Sequence, residues 1–241
     1  IYLPIVVGLF SLLGFIFFRD EFLLIFFVTN VFHVTRQSFG ICKLYCERTD
    51  ERKFQEILIY LINFIFLVIA FFRFYTPAIN ENNIMIINIL VLLLVTIVFF
   101  IYIIKFGFSQ NFLTFITGCI IFSPVCFVNN PVHAIIMGVT MHYSQYICLT
   151  YFIYKKREEA SEHENKKLLG IKYYKYFFTV SIYAIIMSQF SLFGKFEDST
   201  LKNLIIIPII GQMLHFYLDS QLWKFSESHN RSHVLKYIKQ I

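Results

Sequence analysis

Eight runs of apolar residues, each about as long as a helix needs to cross a bilayer, take up most of this chain and leave room for little else. A hydrocarbon core of roughly 30 Å is spanned by about 20 helical residues at a rise of about 1.5 Å each. The runs are Ile1–Phe18, Phe22–Phe39, Ile57–Tyr75, Ile84–Phe106, Phe112–Val128, Val132–Tyr154, Tyr173–Phe193 and Leu204–Leu222. Composition agrees, because charged residues make up 15% of the chain against about 25% in a soluble domain. The pattern predicts an all-α fold: a polytopic membrane helix bundle of about eight transmembrane helices over residues 1–222, then a cytoplasmic or interfacial tail over 223–241. The first run lacks the polar start and cleavage-site features of a signal peptide and is read as a span.

The breaks between runs have local causes. Arg19, Asp20 and Glu21 interrupt after the first run, the charged stretch Glu47–Lys53 after the second, Thr76–Asn83 with Pro77 after the third, and Gly107–Asn111 after the fourth. Asn129, Asn130 and Pro131 predict a tight turn, and Lys155–Lys167, which includes His163, a solvated connection. Of the 21 Lys and Arg residues, 17 fall at or beside the connections after the even-numbered runs. The positive-inside rule therefore places both termini in the cytoplasm of a multi-pass protein of a bacterial-type inner membrane or its equivalent. The net charge of +6 is then a topology signal, and no nucleic-acid motif accompanies it.

Three histidines lie inside these apolar runs. His33, His142 and His215 come 12, 11 and 12 residues after Glu21, Pro131 and Asn203, the outer ends of the second, sixth and eighth runs. At the helical rise all three sit about 16 to 18 Å below the outer surface. Each has polar company one turn on: Gln37 after His33, Tyr146 with Gln145 after His142, and Asp219 after His215. Polar side chains at membrane depth are costly and call for a reason. Imidazole and carboxylate are ligands for non-haem iron or zinc. His33, His142, His215 and Asp219 are therefore the candidate metal ligands. Asp219 is also the candidate orienter of a ligating histidine, Tyr146 a candidate catalytic group, and Gln37 and Gln145 candidate supports. Haem held axially by two of the histidines, a proton relay through the same residues and plain structural hydrogen bonds are the alternatives.

The other histidines and the cysteines carry less. His133 lies about 13 Å above His142 along its run and belongs to the interface. His229 and His233, four apart in the tail, are either a second ligand pair or part of a basic segment lying on headgroups, with Trp223 marking the interface. Arg36, Lys43, Arg48, Lys224 and Arg231 form a basic rim suited to anionic lipid. Cys42 and Cys46 could be a soft metal pair, but nothing completes a four-ligand site. No phosphate-binding glycine loop, HExxH or GxSxG occurs, which excludes the commonest ATPase, zinc-protease and serine-hydrolase chemistries.

In layout and ligand type the chain resembles integral-membrane non-haem iron oxygenases, namely the desaturase and hydroxylase class and the bacterial carotene dioxygenases. Only His229 and His233 match the HxxxH spacing of the former, and the Pro-His-Gly run of the latter is absent. The resemblance implies an oxygen-dependent enzyme with non-haem iron, haem or zinc being the alternatives. It further implies an apolar lipid-like substrate such as a carotenoid, isoprenoid or acyl chain, contact with membrane lipids, no nucleic acid, and a possible redox partner. A haem-bearing electron-transfer subunit and a non-enzymatic or proton-conducting membrane subunit are the competing expectations.

Overall fold

In a computed structural model of the chain, the described residues are 2–75, 81–129, 131–163, 173–193, 200–224, 226–235 and 237. Every regular element among them is helical. The helices are α1 (Tyr2–Phe17), α2 (Arg19–Tyr45), α3 (Thr49–Phe74), α4 (Glu81–Phe106), α5 (Gln110–Ile120), α6 (Pro131–His163), α7 (Tyr173–Phe193) and α8 (Ile206–Leu222). Single 3-10 segments follow α5 (Ser123–Cys126) and precede α8 (Thr200–Ile205), and a short helical turn at Ser228–Asn230 runs into a π-turn at Arg231–Leu235. Three helical stretches, Glu21–Tyr45, Thr49–Phe74 and Asn83–Phe106, are long and apolar enough to cross a membrane. The chain divides into two compact units, one of Ile1–Phe27 with Leu149–Ile241 and one of Val28–Cys148.

In the Val28–Cys148 unit, α3 is the organising helix. Its buried residues, Glu51, Gln55, Ile59, Ile62, Asn63, Phe66, Ile69 and Ala70, recur at three- and four-residue steps and make one continuous face. That face packs on α5, on the 3-10 segment and on α4. Asn63 donates from Nδ2 to the Ile59 carbonyl at 2.8 Å and to the Gly118 carbonyl at 2.9 Å. Gly118 admits this approach, because a Cβ there would stand 3.1 Å from Ile59 Cδ1. Tyr102 of α4 stacks on Phe115 and Phe112 of α5 at ring centroid distances of 4.7 and 5.3 Å. Much of the rest of α4 is apolar and exposed, including Ile89, Leu93, Ile97 and Ile104. A helix apolar on every side suits hydrocarbon rather than water.

The fifth predicted run is not one helix. α5 has 11 residues, a rise of about 16 Å, and the chain then tightens into the 3-10 segment. Pro124 causes the change: it lacks an N–H, and it disfavours helical backbone at Ser123 before it. The freed carbonyls find side-chain donors elsewhere. Arg73 donates to the Val125 carbonyl and to Asn129 Oδ1, and Asn88 Nδ2 donates to the Cys126 carbonyl at 2.8 Å. These bonds satisfy groups that a helix end leaves open.

Two charged connections are more helical than the sequence predicts. α3 begins at Thr49, so much of Glu47–Lys53 is helix, with Asp50 and Glu51 in the first turn where the helix dipole favours acids. α6 continues to His163, so residues 155–163 of the predicted connection Lys155–Lys167 are helix too; residues 164–167 lie outside the described residues. Residues 76–80 and Asn130, within two predicted breaks, are also outside them.

In the other unit, α1 packs along α8, and α7 packs on the 3-10 segment and α8. Phe15, Phe22 and Ile209 form its buried cluster, joined by Leu23, Phe26, Ile205 and Ile206. Gly14 makes the reversal from α1 into α2 possible: a Cβ there would lie 2.7 Å from the Phe22 ring.

Candidate metal centre

His33 lies on α2 and His142 on α6, both within the Val28–Cys148 unit. His142 has no exposed surface and His33 is half-buried. Their rings meet edge to face, with centroids 6.2 Å apart and an interplanar angle of 85°. One turn before His142, Gly138 lets α6 close on the end of α5. A Cβ at Gly138 would stand 2.8 Å from the Ile121 carbonyl and 2.9 Å from the Phe122 ring. The Tyr146 ring lies one turn after His142, 4.6 Å away by centroids. Gln37, one turn after His33, is buried, and Gln145 is half-buried.

His215 and Asp219 lie one turn apart on α8. His215 Nε2 is 3.1 Å from Asp219 Oδ2, and the Asp219 side chain is 9% exposed. A separation of 3.1 Å fits two chemistries. It is within ion-pair reach when His215 is protonated, and it is also the spacing of two adjacent donors on one ion, about 3.0 to 3.4 Å for metal–ligand bonds of about 2.1 Å.

His33 with His142 in one unit, and His215 with Asp219 in the other, are two pairs of potential metal ligands. The donor set of three imidazoles and one carboxylate suits a divalent transition metal.

His133 is exposed, as an interfacial residue would be. His229 and His233 are exposed in the tail. Cys46 is no ready soft ligand: burial pushes its thiol up to about 11, and its Sγ donates to the Arg48 carbonyl at 3.4 Å.

A second polar cluster was not legible as a unit. Glu51 and Gln55 of α3, Tyr102 of α4 and Asn111 of α5 converge, with Glu51, Gln55 and Tyr102 all buried. The Tyr102 hydroxyl donates to Glu51 Oε1, Asn111 Nδ2 donates to the same oxygen at 3.2 Å, and Gln55 Nε2 donates to the Tyr102 hydroxyl at 2.9 Å. The available signal is the four-residue step from Glu51 to Gln55 and the eight-residue step to Asn63, visible once α3 is started at Thr49.

Among the described residues every regular element is helical and three apolar helices are of membrane-crossing length; with the His33–His142 and His215–Asp219 pairs, that is the class of protein these observations define. Comparison with protein-family models, with characterised proteins and with solved structures finds no match.

Proposed function

We propose that the chain is a multi-pass membrane enzyme in which His33, His142, His215 and Asp219 hold one non-haem iron ion and a lipid-soluble substrate is oxidised with dioxygen. The observation that carries this reading is the pairing of potential ligands within each unit, His33 with His142 edge to face at 6.2 Å and His215 with Asp219 at 3.1 Å, in a chain whose helices expose large apolar side chains. Iron is preferred to zinc because dioxygen and a long apolar substrate both partition into hydrocarbon, where such a site would meet them. The eight-span arrangement with both termini cytoplasmic, and a tail from residue 223 on the inner face, is part of the proposal and rests on the hydropathy and Lys/Arg patterns.

Iron with open coordination positions supplies activation of dioxygen. The chain's own residues do the rest. His142, enclosed completely, gives a ligand whose ring cannot swing away, and Asp219 either completes the ligand set or accepts the N–H of His215 and makes it a better donor. Tyr146, packed against His142, is the candidate to give or take a proton, and buried Gln37 and half-buried Gln145, one turn after His33 and three residues after His142, are the candidate supports for the ligand rings. Carotenoids, isoprenoids and acyl chains fit the apolar surroundings. Oxidative cleavage of a double bond consumes both oxygen atoms without an added reductant, whereas hydroxylation or desaturation draws two electrons from a redox partner.

The test is oxygen uptake by detergent-purified protein loaded with Fe²⁺ under argon and then exposed to air with each substrate class in turn. The expected result is uptake stimulated by one apolar class and lowered about a hundredfold or more in His142→Ala. Uptake that is the same with and without metal, or absent for every class with iron fully bound, overturns the oxygenase reading.

A further inference from the structure

Beneath α8 the tail carries a second pair of histidines. His229 and His233 are four residues apart, on the turn Ser228–Asn230 and the π-turn Arg231–Leu235 that continues it. Their rings stack with centroids 4.3 Å apart and planes inclined by 23°, and both residues are exposed. Two histidines four residues apart on one helical face are a spacing that presents two imidazoles to one ion. Single π-turns recur at functional sites.

The pair is held in place. Buried Asn230 donates from Nδ2 to the Gln221 carbonyl at 2.7 Å and to the Lys224 carbonyl at 3.2 Å, which ties the turn to the end of α8. Arg231 Nη2 donates to the Ser226 carbonyl at 3.0 Å, and Lys224 bonds Glu227 at 2.8 Å. His233 Nδ1 lies 3.0 Å from the His229 carbonyl and 2.8 Å from Ser232 Oγ. In the tautomer whose Nδ1–H faces that carbonyl, which Ser232 Oγ also donates to at 3.0 Å, the lone pair of neutral His233 is on Nε2. Ligating histidines are commonly prepared in this way, with the other ring N–H donated to a backbone carbonyl.

We propose that His229 and His233 form a second, solvent-accessible site for a divalent transition metal, bound through His233 Nε2 and a ring nitrogen of His229, with water in the remaining positions. The site is independent of the buried group. Two ligands and open water make it a rapidly exchanging site.

The experiment is a Zn²⁺ titration of the detergent-purified full chain against a competing chromogenic chelator. It compares the wild type with His229→Ala, His233→Ala and the double variant His142→Ala/His215→Ala. A readily exchanged equivalent is expected in the wild type, weakened about tenfold or more in either tail variant because losing one of two linked ligands forfeits the chelate advantage, and retained in the double variant. Retention there separates this site from the buried one, since failure of the iron reading would leave the tail equivalent untouched. An exchangeable equivalent unaffected by both tail substitutions, or none at all, overturns the proposal.

Discussion

At the residue scale, the chain's polar side chains divide into groups that serve the candidate metal centre and groups that hold helices together, and substitutions separate the two. Asp219→Asn keeps the size of the side chain and an oxygen toward His215 but removes the charge. Metal affinity is expected to fall about 10- to 100-fold with the melting temperature nearly unchanged, measured by equilibrium dialysis beside a thermal-shift assay. Glu51→Ala has the opposite signature. It removes the acceptor of the Tyr102 hydroxyl and of Asn111 Nδ2, and leaving buried donors unmet costs about 1–3 kcal/mol, so the melting temperature falls while bound metal per folded molecule stays the same. Cys46 offers a pH readout. With its thiol pushed up to about 11 by burial, the reactive thiolate appears only as pH rises toward that value, and stability linked to the neutral thiol is lost as pH rises from about 9 upward. Alkylation of Cys46, followed by mass spectrometry, should be slow at pH 8 and accelerate steeply above pH 10. The histidines were legible from sequence because each interrupts an apolar run. Glu51 was not, because a carboxylate beside Arg48, Arg52 and Lys53 reads as part of a charged connection until the helix that buries it is known.

At the element scale, close backbone approaches set where the helices sit. Gly138 is the clearest case, since a Cβ there would fall 2.8 Å from a backbone carbonyl oxygen, which cannot rotate aside as a flexible side chain could. Gly138→Ala is expected to cost about 1–3 kcal/mol through forced displacement of α6 and, because His142 lies one turn on, to lower metal retention as well. Gly40→Ala is the control: a Cβ there meets nothing within 4 Å, so the same assays should register little change. The end of α5 shows what hydropathy alone misses. An apolar run says that a segment avoids water, not that it forms one unbroken helix. The Pro124 break is sustained by Arg73 and Asn88, donors contributed by α3 and α4, so its stability depends on residues far away in sequence. Pro124 was the available signal for the break, but its compensation was not legible from the local pattern.

At the scale of the whole molecule, the helical character, the approximate helix limits and the apolar surface follow from length, periodicity and composition, because these are properties of single segments. The two-unit division does not, since it depends on which helix faces meet. The proposed membrane arrangement makes a direct prediction. In a cysteine-free background, His133→Cys should be labelled by a membrane-impermeant maleimide from the outer side only, and Ser228→Cys from the inner side only, in intact cells and inverted vesicles respectively. Labelling of both from one side would contradict the three crossings proposed between them.

The central claim, that His33, His142, His215 and Asp219 hold one metal ion, is tested most directly by elemental analysis together with an optical spectrum of the detergent-purified protein, comparing the wild type with His142→Ala and His215→Ala. About one tightly held equivalent of iron is expected, with no Soret band and with loss of that equivalent in both variants while they remain folded. Freshly prepared wild-type protein without any transition metal, or with metal that survives both substitutions, would contradict it, and a Soret band would replace the non-haem centre with haem.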